Sequence, residues 1–150
     1  MSYSRANLET ILIARVGAWL TAAALDGATV DGTNASLNDP IGWAIRTSGG
    51  TVAAPALVTD ADVATVASAD LDQLIDLAEL RTLESVLSNF TGVDKKAGPV
   101  ELKSSQMADR LERRIVALRA AIGLTYGIGG YGAFSVSLTR TDGYSELAAE

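Results

Sequence analysis

Asp72, Asp76 and Glu79 recur at helical spacing and so share one face of a helix, where carboxylates can coordinate a hard cation or act as an acid/base pair. They lie in an acidic stretch: residues 60–84 hold seven acids against Arg81 alone, a net −6. The chain has no histidine and no cysteine. That removes the commonest general base, thiolate zinc sites, disulfides and the usual serine or cysteine triads. Without histidine partners or an Asp-x-Asp-x-Asp-Gly loop, helix caps and a solvated face account for these acids. No catalytic residue, metal ligand or cofactor is expected.

Gly127-x-Gly129-x-x-Gly132 matches the dinucleotide-binding fingerprint, but that motif needs a strand before it and a helix after it. Here a helical pattern precedes and a strand pattern follows. Gly127, Gly129, Gly130 and Gly132 are therefore read as a hinge. Beyond the hinge, Phe134, Val136 and Leu138 alternate with polar residues up to Arg140, the period of a β-strand. A lone strand needs a partner, so Phe134, Val136, Leu138 and Arg140 are expected to form a protein-binding arm that adds to a neighbour's sheet edge. Pairing with Thr51–Val58 is the intrachain alternative, restricted by Pro55. Residues 95–119 carry seven basic against three acidic side chains, a net +4. Arg110, Arg113 and Arg114 can thus pair with Asp72, Asp76 and Glu79 either within the chain or between subunits. Among these basic residues only Gln106 suits base readout, so sequence-specific DNA binding is not expected.

These residues must be positioned by helices. At 150 residues and 15.5 kDa, with 48% hydrophobic and 20% charged residues, the chain is the size and composition of one globular domain with its own core. A net charge of −6 gives no global affinity for phosphate. Leu8, Ile11, Leu12, Val16, Trp19, Leu20 and Ala23 predict a one-faced helix over 7–25, with Arg5, Glu9 and Arg15 falling between the apolar positions and Asp26-Gly27 ending it. A loop over 28–38 follows, then a short helix over 40–46 with Asp39 as N-cap and Pro40 as first residue. Thr59-Asp-Ala-Asp62 caps a short helix near 60–67. A long helix over 70–90 carries an apolar face broad enough to require contacts on two sides. The last helix, from Glu101 or Ser104 to Tyr126, repeats Met107, Leu111, Ile115, Leu118 and Ile122 in a seam expected to pack antiparallel against it. The fold expected is mainly α, a small antiparallel bundle over 1–126 with a glycine-hinged C-terminal β-strand arm over 127–150. The Ile11–Leu25 run is broken by Arg15, and the uncharged run 120–139 by glycines, so neither a signal peptide nor a membrane helix is expected. Asn34-Ala-Ser36 and Asn89-Phe-Thr91 match the glycosylation sequon, which carries meaning only after secretion.

Asp39-Pro-Ile-Gly-Trp-Ala44, Thr59-Asp-Ala-Asp62 and Asp76-Leu-Ala-Glu-Leu-Arg-Thr-Leu-Glu84 followed by Asn89-Phe-Thr-Gly-Val-Asp94 make the chain, over about its first 125 residues, resemble the head–tail adaptor (connector) proteins of tailed bacteriophages. The resemblance implies a structural virion protein rather than an enzyme. It implies a homo-oligomeric ring, typically dodecameric, at the virion neck beneath the portal protein, made in the host cytoplasm. That ring extends the DNA channel, through which DNA passes non-specifically, and docks the next neck or tail protein. The glycine-hinged arm departs from the family's pattern. Another head- or tail-completion protein, or a non-viral helical protein-binding module, are the alternatives.

Overall fold

Ser4 starts the first helix by accepting the Asn7 N–H on its Oγ at 3.1 Å, satisfying one of the amides a helix start leaves open. The computed structural model describes residues 3–93 and 99–128, the side chains of 91–105 excepted. The chain is mainly helical, with α1 (Arg5–Ala22), α2 (Asn38–Thr47), α3 (Asp60–Val63), α4 (Leu71–Val93) and α5 (Pro99–Tyr126). Single 3₁₀ turns at Ala35–Leu37 and Ser68–Asp70 lead into α2 and α4. It divides into two compact units, residues 1–115 and 116–150.

In the first unit α4 is the central helix. It packs most extensively against α2 and next against α1, the two-sided burial its broad apolar face predicts. Leu74, Leu77, Leu80, Leu83 and Val86 of α4 are fully buried, as are Leu8, Leu12, Val16 and Leu20 of α1 and Ile41, Ala44 and Ile45 of α2. Leu111 and Ile115 of α5 are also buried, and Met107 is half-buried, in keeping with the seam expected of them. An ion pair between Arg114 and Glu79 ties α5 to α4.

Several boundaries differ from expectation: α4 runs on to Val93 instead of ending at 90, and α5 starts at Pro99 instead of Glu101 or Ser104. α1 stops at Ala22 rather than 25, because Ala24 takes a left-handed backbone (φ 59°) and lets the Leu25 N–H donate to the Leu20 carbonyl at 2.9 Å. Past that turn the chain crosses back over α1 so closely that a Cβ on Gly27 would run into the Gly17 carbonyl. α2 starts at Asn38, and Asp39 is not its cap; the Asp39 carboxylate instead accepts from Arg81 Nε at 3.1 Å. The capping box at Thr59 forms as expected, but α3 is a single turn. Residues 51–58 form no strand: their amides and carbonyls are taken by the side chains of Asn38, Asp62 and Thr65.

In the second unit the described residues are the end of α5, Gly127 and Ile128. Gly127 closes the helix in a left-handed conformation (φ +67°), its N–H donating to the Gly123 carbonyl at 3.0 Å. Gly127, the first of the four glycines read as a hinge, thus caps the helix. Gly129, Gly130, Gly132 and the strand residues Phe134, Val136, Leu138 and Arg140 lie outside the described residues. Among the described residues there is no strand.

Candidate functional site

The densest polar cluster is built on the first two turns of α1. Arg5 and Glu9 sit one turn apart, only 2% and 0% exposed, and pair through Arg5 Nε and Glu9 Oε1 at 2.9 Å. The guanidinium also donates from Nη1 to Asn38 Oδ1 (3.1 Å) and the Val58 carbonyl (3.2 Å), and from Nη2 to the Asn34 carbonyl (2.9 Å). The Glu9 carboxylate accepts the N–H groups of Gly32 (2.7 Å) and Asn34 (3.0 Å). The Arg5 amide donates to Asp60 Oδ1 at 2.6 Å. One ion pair thereby gathers α1, the 26–34 loop, the start of α2 and the 51–59 segment. Asn34 spends its side chain here too, Nδ2 donating to the carbonyls of Asp26 and Thr29, so this sequon asparagine is buried and committed to the loop.

The 51–59 segment is held from behind. Thr51 N–H donates to Thr65 Oγ1, Ala53 N–H to Asp62 Oδ1 and Val58 N–H to Asn38 Oδ1, at 2.9, 2.9 and 2.7 Å. The Pro55 carbonyl accepts Asn38 Nδ2 at 2.7 Å. Hydrogen bonds from the Thr59 and Ala53 amides hold the Asp62 carboxyl below its ordinary pKa. Between those ties Ala53, Ala54, Pro55, Ala56 and Leu57 are all exposed. A hollow of about 280 Å³ lies beside this loop at the start of α1, with Leu57, Asp31 and Asp60 on its walls. The Thr33 hydroxyl and amide lower the Asp31 pKa.

The helix-face carboxylates are placed differently from expectation. Glu79 is not on a solvated face: it is buried, with Oε2 on Arg15 (3.0 Å) and Oε1 on Arg114 (2.7 Å). Asp76 also pairs with Arg15, at 3.0 Å. Burial pulls the Arg15 pKa down, but the hydrogen bonds it donates to the Asp76 and Glu79 carboxylates, with their charges, outweigh it and the net shift is upward. Of the residues considered for inter-subunit charge, Asp76, Glu79 and Arg114 are thus joined within the chain, while Asp72, Arg110 and Arg113 are exposed. Among the described residues no group of three acids is arranged to hold a metal ion, and no helix is long and apolar enough to cross a membrane.

Arg5, Glu9, Asn34 and Asn38 escaped the sequence reading. The signal for the first two was present: positions 5, 8, 9, 12 and 16 fall on one helical face, so Arg5 and Glu9 lie within the apolar stripe rather than between its members. Compared with known proteins, the chain matches no protein-family model, no curated protein and no solved structure. What its own geometry defines is a helical protein whose most buried charges tie loops to helices.

Proposed function

We propose that the chain is a structural protein of the tailed-phage neck, a head–tail adaptor. In this reading copies of it form a ring below the portal, extend the DNA channel and dock the next neck or tail protein. The observation that carries the reading is where the resembling segments lie. Asp39–Ala44 is in α2, Asp76–Glu84 is in α4, and these are the two helices with the most extensive contact; Asp39 and Trp43 meet Arg81 there through a 3.1 Å ion pair and a ring contact at 5.8 Å. The Thr59–Asp62 segment forms the capping box that fixes the route into α4. The resemblance thus lies in framework residues, as suits a protein whose work is assembly. The antiparallel bundle and the C-terminal arm belong to the same reading, with Phe134, Val136 and Leu138 ordering against a neighbour.

Light scattering on the purified chain, alone and with a portal protein, tests it, combined with protease digestion of the C-terminal segment. A large complex that forms with portal and protects residues beyond Gly127 is the expected result. A protected monomer or dimer indifferent to portal rejects the adaptor in favour of a helical binding module. Co-purification with a tail tube instead of portal points to a tail-completion protein.

A further inference from the structure

The alternating residues Phe134, Val136 and Leu138 need an apolar surface to cover them, and among the described residues there is no strand whose edge accepts them. The end of α5 offers another kind of acceptor. Val116, Ala117, Ala120, Ala121 and Leu124 fall on one side of this helix and are exposed, Val116 by 64% and Leu124 by 82%, while Ile122 on the opposite side is buried. Arg119, the single charge between Val116 and Tyr126, falls on the flank of that side. Toward the helix start the exposed residues are charged, Asp109, Arg110, Glu112 and Arg113, so the apolar surface begins at Val116. A helix stretch that is apolar on both sides calls for cover on both.

Spacing and tether select the chain's own C-terminal segment as that cover. Val116, Ala120 and Leu124 climb the helix in steps of about 6 Å. Alternate residues of an extended chain advance by about 6.6 Å, nearly the same step. Run antiparallel to α5, Phe134 falls beside Leu124, Val136 beside the small Ala120 and Leu138 beside Val116, with Ser135, Ser137 and Thr139 toward water. The described residues end at Ile128, beside the Leu124 end of this surface, and residues 129–150 continue from there. Gly127, left-handed at φ +67°, diverts the chain from the helix axis, and the link 129–133 contains three glycines. So short a tether gives the segment an effective concentration on the order of millimolar, far above that of a second copy in dilute solution. Both sides of the contact belong to one compact unit, residues 116–150.

We propose that in the free chain the C-terminal arm folds back on its own helix, with Phe134, Val136 and Leu138 seated on Leu124, Ala120 and Val116. The seat withholds both apolar surfaces from other molecules until a partner displaces the arm. Three side chains on a helix open locally at little cost, so the segment stays cleavable by protease until a partner holds it. The proposal goes beyond the adaptor reading, since it concerns the chain before any docking.

Because the chain has no cysteine, a disulfide reports the contact directly. Ala120→Cys/Val136→Cys in the full-length chain keeps the two outer contacts. Ala120→Cys/Ser135→Cys and Ala120→Cys/Ser137→Cys have nearly equal tethers but turn the second thiol outward. Each variant is checked for native helicity and oxidised mildly in dilute solution. The intrachain disulfide, read as a monomer on a non-reducing gel and as a linked peptide by mass spectrometry, is expected to form at least tenfold faster with Val136→Cys than in either control. Adding Phe134→Asp is expected to abolish that advantage. Equal rates in the three variants, an advantage that survives Phe134→Asp, or closure chiefly into dimers each overturn the proposal. Preferential closure without portal binding leaves the fold-back standing and removes the adaptor reading; portal binding with equal closure rates does the reverse.

Discussion

Arg5 and Glu9 keep two opposite charges out of water, an arrangement stable only when the remaining donors and acceptors are filled. Here, beyond the bond that joins the pair, three hydrogen bonds from the guanidinium and two to the carboxylate do so. Removing one partner leaves a buried charge unpaired, so Glu9→Gln or Arg5→Met alone is expected to cost about 3–5 kcal/mol in urea unfolding. The double variant removes both charges, yet the glutamine has one acceptor oxygen for the two amides of Gly32 and Asn34, and the carbonyls of Val58 and Asn34 lose their guanidinium donors. It should therefore lose less than the sum of the single losses but stay below the parent. Asp26, Asp31 and Asp62 act through a different route. Each has a folded-state pKa below the ordinary 3.8, because hydroxyl and amide donors favour the carboxylate. Their stabilisation is therefore fully present above that value and is lost as pH falls through the lower folded-state values. A urea series below pH 5 should show the midpoint dropping, with a shallower drop in Asp62→Asn.

At the scale of elements the instructive place is the end of α1. Ala24 holds a left-handed backbone that disfavours any Cβ by about 1–2 kcal/mol, whereas glycine there adds about 0.4–1 kcal/mol of unfolded-state entropy. The first quantity wins, so Ala24→Gly is expected to raise stability by about 0.5–1 kcal/mol. Gly27→Ala reverses the sign: the new methyl meets backbone of α1, and a loss of about 1–3 kcal/mol in urea unfolding is expected. The same helix shows what was legible in advance. Leu8, Leu12, Val16 and Leu20 announced themselves by periodicity, as did the apolar positions of α4, because burial of apolar side chains is what that pattern encodes. The helix end at Ala22 did not, since an alanine in a glycine's conformation leaves no compositional mark. Nor did the role of Asn38, whose amide reaches Val58 and Pro55 across twenty residues of chain. Local sequence carries local bonds; bonds closed by the fold become visible only in the fold. The irregular 51–58 route, read as extended, belongs to the second kind.

For the whole molecule, the first unit carries all but one of the buried apolar residues described, Ile122 being in the second. Deleting residues 127–150 removes no described core residue, so the truncated chain is expected to keep its helical circular dichroism and cooperative unfolding while losing stable docking. Loss of the far-ultraviolet helix signal in that variant would show the segment to be part of the fold instead. The Arg5 ion pair has a further consequence for how the protein comes to be. Its partners at Asn34, Asn38 and Val58 lie 29, 33 and 53 residues downstream, and Asp60 lies 55. Translation at about 5–20 residues per second delivers Asp60 roughly 3–11 seconds after Arg5. During that interval the groups that shelter the charges of the first helix arrive in turn, Gly32, Asn34 and Asn38 first and Val58 and Asp60 last. Until the last of them the helix can coil and uncoil but cannot be sealed inward. The segment made first is therefore locked in place only after the 51–60 stretch arrives.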